Sequence, residues 1–180
     1  MPKINRNGQA EVFSDEQLRE LFAELIDPHR LIFQICFYTA ARISEVVQLE
    51  RSDIVGGHLV YRRSNTKTKR TRSIRISPAL AKLLIASDLP ASGYLFPGRK
   101  GGHITSRAAD KALRIACDRL GLEGYSTHSF RRSFLTKLYN QGTNLKIIQR
   151  VTGHESLDSL ARYLEVDKDE VEKAICSIEI

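Results

Sequence analysis

Residues 28–39 carry Leu31, Ile32, Phe33, Ile35, Cys36 and Phe37 in near-unbroken succession. A helix over this stretch is apolar almost all round, so it cannot lie on a surface and needs neighbours on every side. Asp27-Pro28 opens it, a capping residue followed by proline at the first helical position. Whatever else the chain forms must wrap this helix. Its 180 residues suffice for one ordinary domain with a real core.

The wrapping elements can be read in order. Residues 1–13 form a polar, flexible arm. Ser14 and Gln17 make a capping box, and Leu18, Leu21, Phe22 and Leu25 recur at helical spacing. A short helix starts near Ile43. After the turn Gly56-Gly57, residues 58–63 alternate as a strand, 64–69 turn, and 73–76 return, giving a β-hairpin or three-stranded ribbon. Helices follow over 78–87 and, beyond a Gly/Pro-rich loop, over 106–120. The next runs over 128–140 and ends at Gly142, with Phe134, Leu135 and Leu138 facing the core. Asn144 caps a helix over 145–151 that Gly153 terminates, and a further turn or two over 156–164 carries Tyr163. Asp167 and Glu170 open a last helix with Val171, Ala174, Ile175 and Ile178 as its apolar stripe. No repeat or long linker divides the chain.

Net charge is +7. Arg62, Arg63, Lys67, Lys69, Arg70, Arg72 and Arg75 carry that excess on the predicted ribbon, with no acid among them. A concentrated positive patch on a near-neutral body is the footprint of a polyanion binder, or else a solvated hairpin tip. No apolar run approaches the ~20 residues of a membrane span, and residues 1–9 lack the apolar core of a signal peptide. A cytoplasmic protein is expected, with no membrane partner. Cys36, Cys117 and Cys176 are far apart and show neither metal nor disulfide spacing, and their apolar neighbours predict buried, reduced thiols. No carboxylate cluster or Cys/His set suggests a metal, and no cofactor is expected.

The residues with chemistry in them lie late in the chain. His128 and Arg131 are three apart, so a helix projects them from one face. Gly153-His154 follows, and Tyr163 comes nine residues after that histidine. Upstream, Arg42 sits between two apolar segments, where a guanidinium needs an anion or a carboxylate. Glu45 is the obvious internal partner; a bound phosphate is the other.

Thr39-Ala40-Ala41-Arg42-Ile43-Ser44-Glu45-Val46, Lys67 ahead of Arg72-Ser73-Ile74, Leu95-Phe96-Pro97-Gly98, His128-x-x-Arg131, Gly153-His154 and Tyr163 resemble, in order and spacing, the motifs of the tyrosine recombinase (phage integrase) catalytic domain. The likeness covers the chain from Ser14 to the terminal helix. It implies an α+β fold, mainly helical with a small antiparallel three-stranded sheet (the DNA breaking-rejoining enzyme fold), as one catalytic domain over residues 14–180. It implies a site-specific DNA recombinase that cuts and rejoins strands through a 3′-phosphotyrosyl intermediate, without metal. In that scheme Arg42 and Arg131 clamp the scissile phosphate, and Lys67 protonates the leaving 5′ hydroxyl (an ungapped match favours it over Lys69). His128 assists proton transfer, His154 hydrogen-bonds a phosphate oxygen and Tyr163 is the nucleophile. The residue types fit this chemistry, because planar guanidinium forks match charge building on phosphate oxygens.

The implied partner is double-stranded DNA, gripped through Arg62, Arg63, Lys69, Arg70 and Arg72. The helix over 167–178 either packs on its own domain or exchanges between protomers in a DNA-bound tetramer. An accessory DNA-bending protein is a further partner of this scheme. A type IB topoisomerase-like relaxing enzyme is the alternative within the same chemistry. A catalytically silent DNA-binding regulatory module is the alternative outside it. Two features depart from the family: Thr152 stands where an apolar residue is usual, which predicts looser packing beneath His154, and these 180 residues are expected to lack the family's N-terminal DNA-clamping domain, whether by truncation or in a naturally short protein.

Overall fold

The computed structural model describes residues 9–66, 69–154, 156–161 and 176. Ser14 caps the first helix, α1 (Asp15–Glu24), in the expected box: its hydroxyl accepts from the Gln17 N–H, and the Gln17 side chain accepts from the Ser14 N–H. The central helix, α2 (His29–Thr39), begins one residue later than the sequence suggests. Pro28 precedes it, and Asp27 Oδ1 accepts from Leu31 N at 3.3 Å. As predicted, α2 is the hub. Ile32, Phe33, Ile35 and Cys36 are wholly buried, between α3 (Ile43–Val46), α4 (Pro78–Ala86), α5 (Ser106–Arg119) and α6 (Thr127–Asn140).

Three short strands complete the ribbon: β1 (Ile54–Val55), β2 (His58–Tyr61) and β3 (Arg72–Arg75), antiparallel in the order β1-β2-β3. The fold is therefore mainly helical with a small three-stranded antiparallel sheet, as expected. Its register decides which basic side chains face inward. Leu59 pairs with Ile74 and Tyr61 with Arg72, and directly opposed residues share a face. Leu59 and Tyr61 are buried, so Arg72 points into the protein with them, while Ser73 and Arg75 face out.

Two shorter helices finish the described chain. Asn144 caps α7 (Leu145–Thr152) by accepting from Lys146 N at 2.9 Å, and Gly153 ends it at φ 68°. That left-handed conformation suits glycine. The last described helix is α8 (Leu157–Ala161). Leu135, Ile148 and Leu160 form a small second core that seats α7 and α8 on α6.

Two expectations are corrected. The arm does not extend to Phe13: Ala10 and Phe13 are buried. The Phe13 ring stacks on Tyr125 at 4.3 Å, its N–H donates to Ser133 Oγ at 2.8 Å, and buried Arg132 donates to the Ala10 carbonyl. Aromatic packing with partners more than a hundred residues away outweighs the polar character of the segment before it. Cys36 and Cys117 are buried as expected, but Cys176 is exposed. It falls one position past Ala174 and Ile175, off the apolar stripe. The helix predicted over 167–178 otherwise lies outside the described residues, as do Lys67 and Tyr163.

Phe130 is the keystone of the main core, with Phe33 and Phe22 stacked on it at 4.8 and 6.0 Å and Phe13 tilted against it at 5.1 Å. Truncating such a ring leaves a cavity that stacked neighbours cannot fill. Phe130→Ala is therefore expected to lower the unfolding free energy by about 3–5 kcal/mol. Denaturant unfolding measures this, and a loss near that of an exposed substitution would mean that the aromatic cluster is not the centre of the core.

Candidate active site

The site is built around the C-terminal end of α7. A helix end leaves carbonyls without intrahelical partners and carries partial negative charge. Here two arginines from distant segments meet those carbonyls. Arg72, from β3, donates through Nη1 to Thr152 O at 2.7 Å and Val151 O at 3.2 Å. Arg131, from the first turns of α6, donates through Nη2 to the same Thr152 O at 2.8 Å. Its Nη1 donates to Ala40 O at 2.6 Å, across the left-handed residue that ends α2 (φ 50°). Arg131 is only 2% exposed, so these carbonyls offset part of the desolvation of its guanidinium.

Glu45 links the second half. Its carboxylate is 2% exposed. Oε1 accepts from Arg42 Nη1 at 3.1 Å, while Oε2 accepts from Arg42 N at 2.9 Å and from Arg72 Nη2 at 3.1 Å. The internal Arg42–Glu45 pair read from the sequence is thus present, and Arg42 keeps a quarter of its side chain exposed. Tyr61 lies beneath Arg72, with the guanidinium 5.0 Å from its ring centroid and its hydroxyl 2.7 Å from Thr39 Oγ1. Burial pushes the Tyr61 phenol pKa upward, so this tyrosine stays neutral.

His154 completes the group. Its Nε2 is 3.3 Å from Arg131 Nη2, and its Nδ1 is 2.6 Å from Thr152 Oγ1. Burial first, then the cations Arg131, Arg42 and Arg72, push its pKa down to about 3. The ring is therefore neutral near pH 7. The looser packing that the sequence predicts at Thr152 is not found; the residue is fully buried and hydrogen-bonded to the ring.

This group borders a cleft of about 480 Å³ lined by Arg42, Arg70, Arg72, Lys146 and Arg150, with Glu45 the one acid among its described lining residues; buried Arg131 is not among them. Thr66, Thr71, Gln149, Thr152, Gly153 and His154 supply the rest of its wall. A concave, cationic wall that mixes guanidiniums, hydroxyls and a neutral imidazole offers the kinds of donor that anionic oxygens accept from.

The structure thus brings Arg42, Arg131 and His154 together. His128 is exposed at the start of α6, one turn before Arg131, and is not among the cleft-lining residues. Of the expected DNA contacts, Arg70 lines the cleft, and Arg63 and Lys69 are exposed outside it. Arg72 and Arg62 have internal roles. Arg62 donates through Nη2 to Glu50 Oε1 at 2.8 Å and Gln48 O at 3.1 Å, with Asp53 Oδ2 3.3 Å away. Strand register turns Arg72 inward, and acids across the ribbon hold Arg62. Sequence reasoning misses Lys146, Gln149 and Arg150. Their signal is a basic pair four residues apart, on a helix running into Gly153-His154.

A cationic cleft beside a neutral histidine, on a helical body with a three-stranded ribbon, is the geometry that the comparisons place in a family. The chain matches the Phage integrase family over residues 11–170 and belongs to it. It is 32% identical over 165 residues to a putative integrase/recombinase, y4qK, of Sinorhizobium fredii, covering 89% of this chain and 54% of that protein. It is 33% identical over 147 residues to tyrosine recombinase XerC of Rhodospirillum centenum, covering 78% of this chain and 43% of the relative. The chain therefore spans about half the length of these curated relatives. Among solved structures, the catalytic domain of bacteriophage HP1 integrase superposes with a TM-score of 0.68 at 24% identity, covering 94% and 95% of the two chains. XerH recombinase in a post-cleavage complex with its difH substrate superposes with a TM-score of 0.71 at 24% identity, covering 97% of this chain and 55% of that one. These likenesses show the fold. Among the described residues, no helix is long and apolar enough to cross a membrane.

The depressed His154 pKa has a consequence for stability. Between the ordinary value of 6.5 and about 3, the unfolded chain binds a proton that the folded ring refuses. Stability is therefore lost as pH falls through that window. His154→Gln should lose less over the same range, so urea midpoints of the two proteins should converge or cross on acidification. Parallel curves would show that the ring is not held neutral.

Proposed function

We propose that this protein is a site-specific DNA recombinase that cuts and rejoins DNA strands by metal-independent transesterification through a 3′-phosphotyrosyl intermediate. The observation that carries this reading is one unbroken set of hydrogen bonds. It runs from Arg42 through Glu45, Arg72 and the Thr152 carbonyl to Arg131 and His154, beside a cationic cleft. Arg42 and Arg131 clamp the nonbridging oxygens of the scissile phosphate. His154, being neutral, hydrogen-bonds one of them. Tyr163 attacks phosphorus, Lys67 protonates the 5′ oxygen as it leaves, and His128 assists proton transfer. The phosphotyrosyl bond conserves the energy of the cleaved linkage, so a second 5′ hydroxyl can reverse the step.

Preorganised donors aimed at charge that develops in the transition state each contribute a few kcal/mol. Arg131 suits that role because carbonyls at two ends of the site fix its plane. DNA is the proposed partner, in keeping with the DNA complexes of XerH and of the Tn1549 transposon integrase, whose fold this chain shares. The catalytic domain spans residues 14–180, with residues 10–13 packed on it. The segment 167–178 joins protomers of a tetramer on DNA, and an accessory DNA-bending protein is a further partner.

A pool of duplexes carrying a nick beside each candidate cleavage position traps the intermediate by releasing a short strand. The wild-type chain is expected to yield a denaturation-resistant 3′ adduct, and Tyr163→Phe none. DNA binding without any adduct would overturn the enzymatic reading and leave a DNA-binding module.

Backbone contacts make a second expectation. Arg70 lines the cleft and is exposed, so Arg70→Ala should weaken binding to all sequences alike and reduce the salt slope by about 1. Filter binding across salt concentrations checks this, and a loss confined to one sequence would instead mean base recognition.

A further inference from the structure

We propose that Thr152 is a positioning residue whose hydroxyl sets the tautomer of His154, accepting from Nδ1–H in the present arrangement and donating to Nδ1 when an anion engages Arg131. The first half follows from counting hydrogens. A guanidinium has donors and no acceptor, so Arg131 Nη2, 3.3 Å from His154 Nε2, meets a lone pair there. A neutral imidazole carries one N–H, which is then on Nδ1. The Nδ1 atom lies 2.6 Å from Thr152 Oγ1, which accepts it. The hydroxyl's own hydrogen goes to Ile148 O at 2.8 Å, nearer than Gln149 O at 3.3 Å. Every donor in this series has an acceptor. Thr152 is 1% exposed, so bulk water does not compete for the bond. The strongly depressed His154 pKa agrees with a ring that keeps a single proton.

The second half rests on the phosphate reading given above. A phosphate oxygen that takes the Nη2 proton of Arg131 would meet the unshared pair on Nε2 and be repelled. The ring removes that conflict by swinging into the cleft, where it takes a proton from water at Nε2 and gives the Nδ1 proton to water, so that it is neutral before and after. Nε2–H then donates to the phosphate oxygen. Nδ1 is left as an acceptor, and rotation about the Thr152 Cβ–Oγ1 bond supplies it with a donor. A hydroxyl can serve both arrangements because it donates and accepts; an apolar side chain can serve neither.

Long-range proton–nitrogen correlation spectra of the histidine-labelled full chain report each ring nitrogen separately, and His154→Gln identifies the His154 signals. At neutral pH the wild type is expected to show a protonated Nδ1 and an unprotonated Nε2. Thr152→Val should abolish that pattern in favour of a mixed or Nε2–H population, and Thr152→Ser should restore it. A wild-type ring protonated on Nε2, or a Thr152→Val spectrum unchanged from wild type, overturns the proposal. A wild-type or Thr152→Ser ring protonated on Nε2 overturns the proposal even if the valine variant does not fold. Added inorganic phosphate should shift the Arg42 and Arg131 side-chain signals and convert His154 to Nε2–H. Phosphate that moves the arginine signals but not the tautomer overturns the reversal and spares the phosphate site. Phosphate that moves neither overturns the phosphate reading, and the reversal with it, while the Thr152→Val comparison still decides who holds Nδ1.

Discussion

One carbonyl oxygen, that of Thr152, organises this protein. It ends α7, and it accepts from Arg72 on β3 and from Arg131 on α6. Three elements far apart in the chain are tied at a single atom, which fixes the ribbon, the central helical layer and the histidine turn relative to one another. The bonds are charge-assisted, and such hydrogen bonds contribute roughly 1.5–3 kcal/mol each. Desolvating two guanidiniums offsets much of that gain. The effect of the network is therefore chiefly geometric: the shared carbonyl fixes how α6, α7 and β3 sit relative to one another. Gly153 follows at once, and its positive φ turns the chain so that His154 comes back against Arg131.

Glu45 plays the complementary part. One nearly buried carboxylate serves Arg42 and Arg72 together and also caps the start of α3 through the Arg42 N–H. One negative charge against two positive ones leaves the wall cationic while steering both guanidiniums. Had each arginine its own acid, the pair would add no net charge to the wall and its cationic character would rest on Arg70, Lys146 and Arg150 alone. Had neither a partner, two like charges would splay toward solvent. The shared carboxylate avoids both outcomes. It also explains why Arg42 retains exposure while Arg72 is nearly buried: Arg72 has helix-end carbonyls as well, and among the described residues Arg42 has Glu45 and the cleft.

Much of this was legible in the chain. The Ser14–Gln17 box, the all-apolar stretch of α2, the Asn144 cap and the Gly153 stop each act locally, so sequence spacing sufficed to find them. The recurrence of Arg42, Arg131 and His154 with their flanking residues pointed to one cleft. What escaped was settled by partners distant in sequence. The basic run from Arg62 to Arg75 reads as one exposed patch, yet pairing of Tyr61 with Arg72 puts every second residue of β3 inside. A parity argument from buried Leu59 and Tyr61 would have found Arg72, had the register been known. Arg62 is held by Glu50 and Asp53 across a turn whose geometry no periodicity reveals. Phe13 joins the core through Tyr125 and Phe130, contacts without a local signal. Thr152 looked like a packing defect because a polar residue in an apolar slot is costly unless bonded, and its acceptor and donor were visible only in three dimensions.

The choice of arginine at position 131 follows from the same geometry. Its side chain must reach Ala40 O at the end of one helix and Thr152 O at the end of another, with different nitrogens, and still present a proton to His154 Nε2. A planar fork with donors on two terminal nitrogens spans those acceptors from one buried position. A lysine ammonium offers three donors, but they radiate from a single atom, so reaching one carbonyl means abandoning the other. Thr152 O would keep its bond from Arg72, but Ala40 O, if abandoned, would lose the donor that Arg131 gives it, a loss of about 1–3 kcal/mol. Charge alone is therefore not what position 131 supplies. It supplies a rigid plane, held at both ends, with a further hydrogen directed to His154.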